Sequence, residues 1–184
     1  LDDDLSTIKN NNDHIKKMID SITKVRGGIL NVTPADLEGK NVKSPFFMLS
    51  YVLARQNHAK DWRTGNEVSL QSAGIEFKNE YDHVFPRAKL YPYLLKQYND
   101  ESKVNALIND IGNMAFLSKV SNIIKSAKTP DQYFPEQRVP DEDLIAQYIT
   151  TDSSLWTIDR YEDFLEDRRK KLAGGINNLL NSLG

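Results

Sequence analysis

Two short stretches of the chain carry the side chains that could do chemistry. In the first, Asp82 and His83 stand side by side at the end of an apolar run that predicts a β-strand. In the second, Asn113 precedes another apolar run and Asn122 follows it. Neutral imidazole can take a proton from water near pH 7, and Asp and Asn oxygens suit a hard cation such as Mg²⁺ or Mn²⁺. Together these groups could hydrolyse a phosphodiester with one metal ion.

The second stretch predicts a short strand from Met114 to Leu117, then a helix capped by Ser118. Asn122 would lie near the start of that helix and could face Asp82, and Lys125, three positions on, would share its side and could contact a phosphate. Asn113 could hold the loop that carries His83, or it could orient the imidazole. From these residues alone the alternatives stay open, because an Asn at a turn and a lone surface His need no metal.

The rest of the chain predicts mainly helices, so the fold class is α+β with a small β-hairpin. Between the two stretches, residues 87–102 predict a basic, aromatic loop or short helix. The last helix is capped by Thr157, and the run Arg168–Lys171 interrupts its polar face. The other predicted elements are helices at Asp13–Arg26, at Phe46 to about Asn57 and at Lys103–Ile111, a strand at Tyr81–Phe85 and a short helix opened by Asp141.

Composition excludes several classes of protein. None of the 184 residues is a cysteine, so disulfides, thiolate zinc sites and a thiol nucleophile are excluded. No apolar run reaches the length of a membrane helix and no secretory signal opens the chain, so we expect no membrane partner and a cytoplasmic location. The chain begins at Leu1, and we expect it to be part of a longer protein.

Charge is unevenly distributed although the net charge is only −2. Between His83 and Lys128 there are seven Lys and Arg against three acids, whereas Asp131 to Asp167 holds eleven acids and two Arg. A basic segment around the candidate site would suit a phosphate-binding surface. The simpler interpretation, that both blocks are solvated faces, also stays open.

The two stretches resemble the halves of the HNH motif of ββα-metal endonucleases. Asp82-His83 matches the acid–His pair that ends the first strand, and Asn113, Asn122 and Lys125 match the second half without a gap. The Phe-Pro that follows His83 and the Gly before Asn113 are similar to one branch in particular. That branch comprises the C-terminal nuclease domains of GmrSD-type modification-dependent restriction enzymes and related phage-defence proteins.

This resemblance implies a role for each matched residue. His83 would be the general base and Asn113 the orienting Asn, while Asp82 and Asn122 would hold one Mg²⁺ or Mn²⁺. The residues expected to bind phosphate are Lys125, Lys119 and Arg87. Ser118 and Ser121 stand where many HNH proteins have cysteines, so we expect helices rather than a zinc knuckle to hold the hairpin.

The resemblance also implies a fold, a domain organisation and a function. Residues 71–135 would form the HNH core, residues 1–70 a helical extension and residues 136–184 helices packed on the core. The protein would cut or nick DNA, including modified phage DNA, and a ParB-like nucleotidase domain would precede this chain. Two alternatives remain: a catalytically silent HNH-fold module that binds DNA or regulates a partner domain, and a helical interaction domain in which the Asp-His pair is incidental.

Overall fold

The computed structural model describes residues 31–68 and 79–183. The predicted helix Asp13–Arg26 lies outside these residues. Within them the chain is mainly helical, with one small antiparallel sheet, and the α+β class is confirmed at that level. The elements in chain order are α1 (Pro34–Leu37), α2 (Pro45–Gln56), β1 (Asn79–His83), α3 (Arg87–Tyr98), α4 (Glu101–Ile108), β2 (Met114–Ser118), α5 (Lys119–Lys125), α6 (Pro130–Gln137), α7 (Asp141–Ala146) and α8 (Tyr161–Leu183), with 3₁₀ turns at Ile111–Asn113, Ser153–Leu155 and Ile158–Arg160.

The hairpin β1–β2 is the centre of the fold. Its register pairs Asn79 with Ser118 and His83 with Met114. Helix α5 follows β2 directly and contacts both strands. Because side chains alternate along a strand, residues 80 and 82 share one face of β1 and residues 81 and 83 share the other. In chain order, α3 and α4 lie between the two strands, and α5 follows the second strand.

Apolar side chains cover both faces of the hairpin. On one face, the Phe116 ring of β2 packs against the rings of Phe47 and Tyr51 of α2, with centroids 5.3 and 5.0 Å away. On the other, Ala115 and Leu117 join a second buried cluster with aromatic residues of α6 and α8. A two-stranded hairpin is barely stable alone in water, so these two layers are what make it a stable scaffold.

The boundaries of two elements near the site differ from the predicted ones. The strand predicted at Tyr81–Phe85 runs from Asn79 to His83, and Phe85 leaves it to enter the second apolar cluster. The helix predicted at Lys103–Ile111 spans Glu101–Ile108, because the Asp100 side chain caps it earlier by accepting from the backbone N–H groups of Ser102 and Lys103.

Of the two alternatives predicted for residues 87–102, a loop or a short helix, the structure has the helix. These residues contain the twelve-residue helix α3, Arg87–Tyr98, and the start of α4. Pro92 lies inside α3, where it removes one backbone donor. Leu90 and Leu94 are completely buried and hold the helix against the second cluster despite that loss. Packing therefore outweighs the local signal for a break.

Helix α8 fixes the 3₁₀ turn before β2. Arg168 is 2% exposed and donates to the backbone oxygens of Gly112 and Gln147. Burial lowers the pKa of Arg168 to about 9. Its neighbour Arg169 pairs with Asp110, whose carboxylate also accepts from the Gly39 and Gly112 N–H groups. The run Arg168–Lys171, predicted to interrupt the polar face of this helix, therefore begins with a buried residue.

A carboxylate braces the junction between β2 and α5. Asp61, 3% exposed, accepts from the Ser118 N–H at 2.7 Å and from the Ser121 hydroxyl at 2.6 Å, while the two serine hydroxyls lie 3.0 Å apart. Burial alone would raise the pKa of Asp61, but the hydrogen bonds from Ser121, Ser118 and Thr64 outweigh it and lower the pKa. The expectation that helices alone hold the hairpin is therefore incomplete, because Asp61 lies in a turn.

The outer edge of β2 is closed by a side chain. Gln147, 2% exposed, accepts from the Phe116 N–H at 2.8 Å and donates to the Phe116 oxygen at 3.0 Å. The amide thus makes the two backbone hydrogen bonds that a residue of a neighbouring strand would make, at an edge where these groups would otherwise be unpaired. Among the helices described, none is both long and apolar enough to cross a membrane.

Replacing Asp61 by Asn tests the brace. We expect Asp61→Asn to lower the free energy of unfolding at pH 7 by about 2–3 kcal/mol. The hydrogen bonds to a charged acceptor are lost, and the new amide N–H₂ group faces groups that also donate. The folded pKa of Asp61 lies below its ordinary value of 3.8, so this stabilisation is present above pH 3.8. It disappears as the pH falls through the lowered folded pKa, and the difference between variant and native chain shrinks there.

The measurement is urea unfolding at several pH values, with Asp131→Asn, an exposed acid of α6, as the matched control. Equal urea midpoints for the two variants at pH 7 would contradict a bracing role for Asp61.

Candidate active site

His83 is the last residue of β1 and is half-buried. Its Nε2 lies 3.2 Å from Oδ1 of Asn109, the residue that ends α4. Burial lowers the pKa of His83 from its ordinary value of 6.5, and Lys125 and Arg87 add to this; the bond to Asn109 and the nearby Asp82 act against it. The imidazole is therefore neutral near pH 7 and can accept a proton.

Asp82 lies on the opposite face of β1 and is paired with a buried ammonium. Lys125 Nζ is 2.7 Å from Asp82 Oδ2 and 2.6 Å from the backbone oxygen of His83. The Lys125 side chain is 1% exposed. Two bonds from one ammonium therefore tie the end of α5 to the end of β1.

Glu80 and Asn122 form a second contact between the same two elements. The amide Nδ2 of Asn122 is 3.1 Å from Oε2 of Glu80. Glu80 and Asp82 are two positions apart on β1, while Asn122 and Lys125 are one helical step apart on α5. Sequence reasoning missed Glu80, and the signal that could have found it is the strand period that places it beside Asp82.

Asn113 is completely buried and holds the segment that follows His83. Its Oδ1 accepts from the Phe85 N–H at 2.9 Å, and its Nδ2 donates to the backbone oxygens of Phe85 and Ile108 at 3.1 and 3.0 Å. Of the two alternatives for Asn113, this geometry corresponds to holding the loop. The partner of the imidazole is Asn109, which the predicted helix Lys103–Ile111 had placed inside a helix rather than at its end.

The three residues predicted to bind phosphate have different surroundings. Arg87 is exposed, stacks over the Tyr91 ring at 5.1 Å and donates to Asn105 Oδ1 at 2.7 Å. Lys119 is half-buried at the first position of α5. Lys125 is buried and engaged by Asp82 and His83, so a phosphate contact requires its ammonium to leave them. Both Arg87 and Lys125 lie close enough to His83 to lower its pKa.

The oxygen donors on this face suit a hard cation. Glu80 and Asp82 contribute two carboxylates, and carboxylate and amide oxygens are typical ligands of Mg²⁺ and Mn²⁺. Asn122 presents its Nδ2 to Glu80, so its amide would have to turn over to offer its oxygen to a cation. The Asp82 carboxylate already forms an ion pair with the Lys125 ammonium. Residues 31–68 and 79–183 contain no group of three or more His, Cys, Asp or Glu side chains that could hold a metal ion. A site here would thus depend on the amide of Asn122.

Comparison with known proteins places the chain in a family. No curated protein and no solved structure matches it. The family model described as "GmrSD restriction endonucleases, C-terminal domain" matches residues 31–174, which include every residue of the candidate site. This match indicates a nuclease domain related to restriction endonucleases, with DNA as the implied substrate and a divalent metal as the general requirement. The chain belongs to the family of GmrSD restriction endonuclease C-terminal domains.

Proposed function

We propose that this domain is an HNH-type endonuclease that hydrolyses DNA phosphodiester bonds with His83 as general base and one Mg²⁺ or Mn²⁺. The observation that carries the proposal is the arrangement at the end of β1. There a half-buried imidazole of lowered pKa adjoins a carboxylate that faces the helix following β2. A proton acceptor and a carboxylate thus occupy adjacent positions at the end of β1.

In this proposal Asp82 and Asn122 hold the cation, with Glu80 beside them as a third oxygen donor. A bound divalent cation offsets the charge that builds on the phosphate and on the leaving oxygen. His83 accepts the proton of the attacking water. Asn113 keeps the loop beyond His83 in place through the backbone of Phe85.

The basic residues would bind the DNA backbone. Arg87 is exposed at the first position of α3, so its guanidinium can reach a phosphate from solvent. Lys119 is the first residue of α5, the helix that also carries Asn122. Lys125 would contact phosphate only after a cation replaces its ammonium at Asp82, which makes metal and DNA binding mutually supportive.

The proposed setting is a restriction or anti-phage defence protein. The family name supports restriction. An upstream ParB-like nucleotidase domain, modified phage DNA as target and a cytoplasmic location are parts of the same proposal, as are the domain boundaries at residues 70 and 135. They follow from the resemblance of the motifs.

One observation favours a second function, a catalytically silent module that binds DNA. The Lys125 ammonium stands 2.7 Å from Asp82 Oδ2, where a cation would otherwise neutralise that carboxylate. A domain that had lost its metal could keep its fold through this ion pair. Metal binding and metal-dependent cleavage discriminate the two functions.

A plasmid-nicking assay tests the general base. We expect His83→Ala to reduce the rate in Mn²⁺ by at least 100-fold, the lower end of what a positioned base contributes. EDTA should abolish cleavage by the native chain. The matched control is His58→Ala, because His58 is exposed and its Nδ1 lies 3.2 Å from Oε1 of Glu67, which is exposed as well. Cleavage by His83→Ala at the native rate would refute the assignment.

Thermal unfolding with and without Mn²⁺ tests the ligands. A free metal concentration of 100 times Kd stabilises a site by about 2.7 kcal/mol, which corresponds to a rise on the order of 5 °C in Tm for a chain of this size. We expect this rise in the native chain and its loss in Asp82→Asn and Asn122→Leu. Asp131→Asn should show the same rise in Tm as the native chain. A full rise in Asp82→Asn would show that Asp82 is not a metal ligand.

Substitution of Lys125 by Met tests whether the ammonium and the metal share Asp82. Without metal, Lys125→Met leaves a largely buried carboxylate unpaired, and we expect a loss of about 3 kcal/mol in unfolding free energy. Mn²⁺ should then raise the Tm of Lys125→Met by more than that of the native chain. An equal rise in both would mean that the ammonium does not compete with the cation. Lys128→Met, which loses a partly exposed ion pair with Glu136, is the control.

A further inference from the structure

The amide of Asn109 has only one orientation that fits its surroundings. Its Nδ2 lies 2.9 Å from the backbone oxygen of Asn105, one turn earlier in α4. A carbonyl oxygen can only accept, so the amide must present its N–H₂ group to it. The same carbonyl also accepts from the backbone N–H of Asn109 at 3.1 Å, so the side chain adds a second bond from the same residue. The other end of the amide, Oδ1, is thereby turned to His83.

The orientation of Asn109 determines which imidazole nitrogen carries the proton. Oδ1 of Asn109 faces Nε2 of His83 at 3.2 Å, and an amide oxygen can only accept. A neutral imidazole with its lone pair on Nε2 would set two acceptors against each other. The tautomer with the proton on Nε2 makes a hydrogen bond instead, and it leaves the lone pair on Nδ1.

We infer that Asn109 is the positioning residue of His83 and that Nδ1 is the atom that accepts the proton from water. The second statement rests on the proposed function, whereas the tautomer does not. Asn113 is not a rival for this role, because its amide is engaged by the backbone of Phe85 and Ile108. The orienting amide therefore comes from the helical segment between the two motif halves.

The contact extends to the protein surface. The Asn105 side chain accepts from Arg87 Nη2 at 2.7 Å, so the turn of α4 that holds Asn109 is itself tied to the start of α3. Arg87, Asn105, Asn109 and His83 thus form one chain of hydrogen bonds from an exposed guanidinium to the imidazole. Helices α3 and α4 serve the site by fixing the ring from the side opposite to Asp82.

The tautomer can be measured without any catalysis. Long-range ¹H–¹⁵N spectra of the metal-free chain, taken where the imidazoles are neutral, distinguish a protonated from an unprotonated ring nitrogen. The sequence has three histidines, and His58→Gln and His83→Gln assign the signals. We expect His83 to show a protonated Nε2 and an unprotonated Nδ1. A native His83 with its proton on Nδ1 overturns the inference.

Two substitutions separate positioning from support of the fold. Asn109→Asp keeps an acceptor facing Nε2 and should keep the tautomer, whereas Asn109→Leu should give a mixture of tautomers. In the nicking assay we expect Asn109→Leu to lower kcat about tenfold with KM for DNA unchanged, a loss like the smallest ones caused by removing the hydrogen-bond partner of a metal-binding His. Gln56→Leu, an exposed amide at the end of α2, is the control and should change nothing.

The outcomes separate this inference from the proposed function. If His83 shows the predicted tautomer but the native chain cuts no DNA, the positioning role of Asn109 stands and the nuclease function is refuted. If the native chain cuts DNA and Asn109→Leu keeps both the native tautomer and the native kcat, the nuclease function stands and the role of Asn109 is overturned. If Asn109→Leu fails to fold, the spectrum of the native chain still decides the tautomer.

Discussion

A buried ammonium needs fixed oxygen partners, and the geometry of the site depends on how Lys125 finds them. Its two bonds reach a side chain and a backbone oxygen of adjacent residues, Asp82 and His83. Leaving such a charge unpaired in a protein interior would cost several kcal/mol. Helix α5 therefore cannot shift along β1, and Asn122 is held opposite Glu80. The same contact leaves this face with two carboxylates and one ammonium, a formal excess of one negative charge. That excess attracts a cation and repels DNA phosphate until a cation is bound.

The scaffold around this contact is built from polar side chains that act as backbone substitutes. Asp61 supplies acceptors to the start of α5, Gln147 completes the edge of β2, and Arg168 and Asp110 fix the turn before it. Each group is buried, and each bonds at least one backbone group close to the hairpin. A chain without cysteine has no thiolate zinc knuckle with which to staple a hairpin, and here a turn and two helices supply that function through hydrogen bonds.

Local signals account for the part of the site that the sequence predicts. Asp82, His83, Asn113 and Asn122 lie in short segments whose strand and helix character is readable, and family resemblance joins the segments. The position of Asn109 could not be predicted, because it depends on α4 ending at Ile108 and the exact end of a helix is hard to predict from sequence. Asp61 and Arg168 act on backbone far away in the chain. A lone acid in a turn and an Arg in a basic run carry no local mark of burial.

In the proposed function, the position of the site at a strand end would let residues on opposite faces of β1 serve one phosphate. Asp82 and His83 alternate across β1, so a group above the middle of the strand could meet only one of them. Beyond His83 the sheet stops, and the chain turns through Phe85, whose backbone Asn113 holds on both sides. A phosphate lying at this edge could be approached by the imidazole from one face and by the oxygen donors from the other. Arg87, exposed where α3 begins, flanks the same edge. DNA would then approach along the end of the hairpin rather than across its face, and helices α3 and α4 would form one wall of its path.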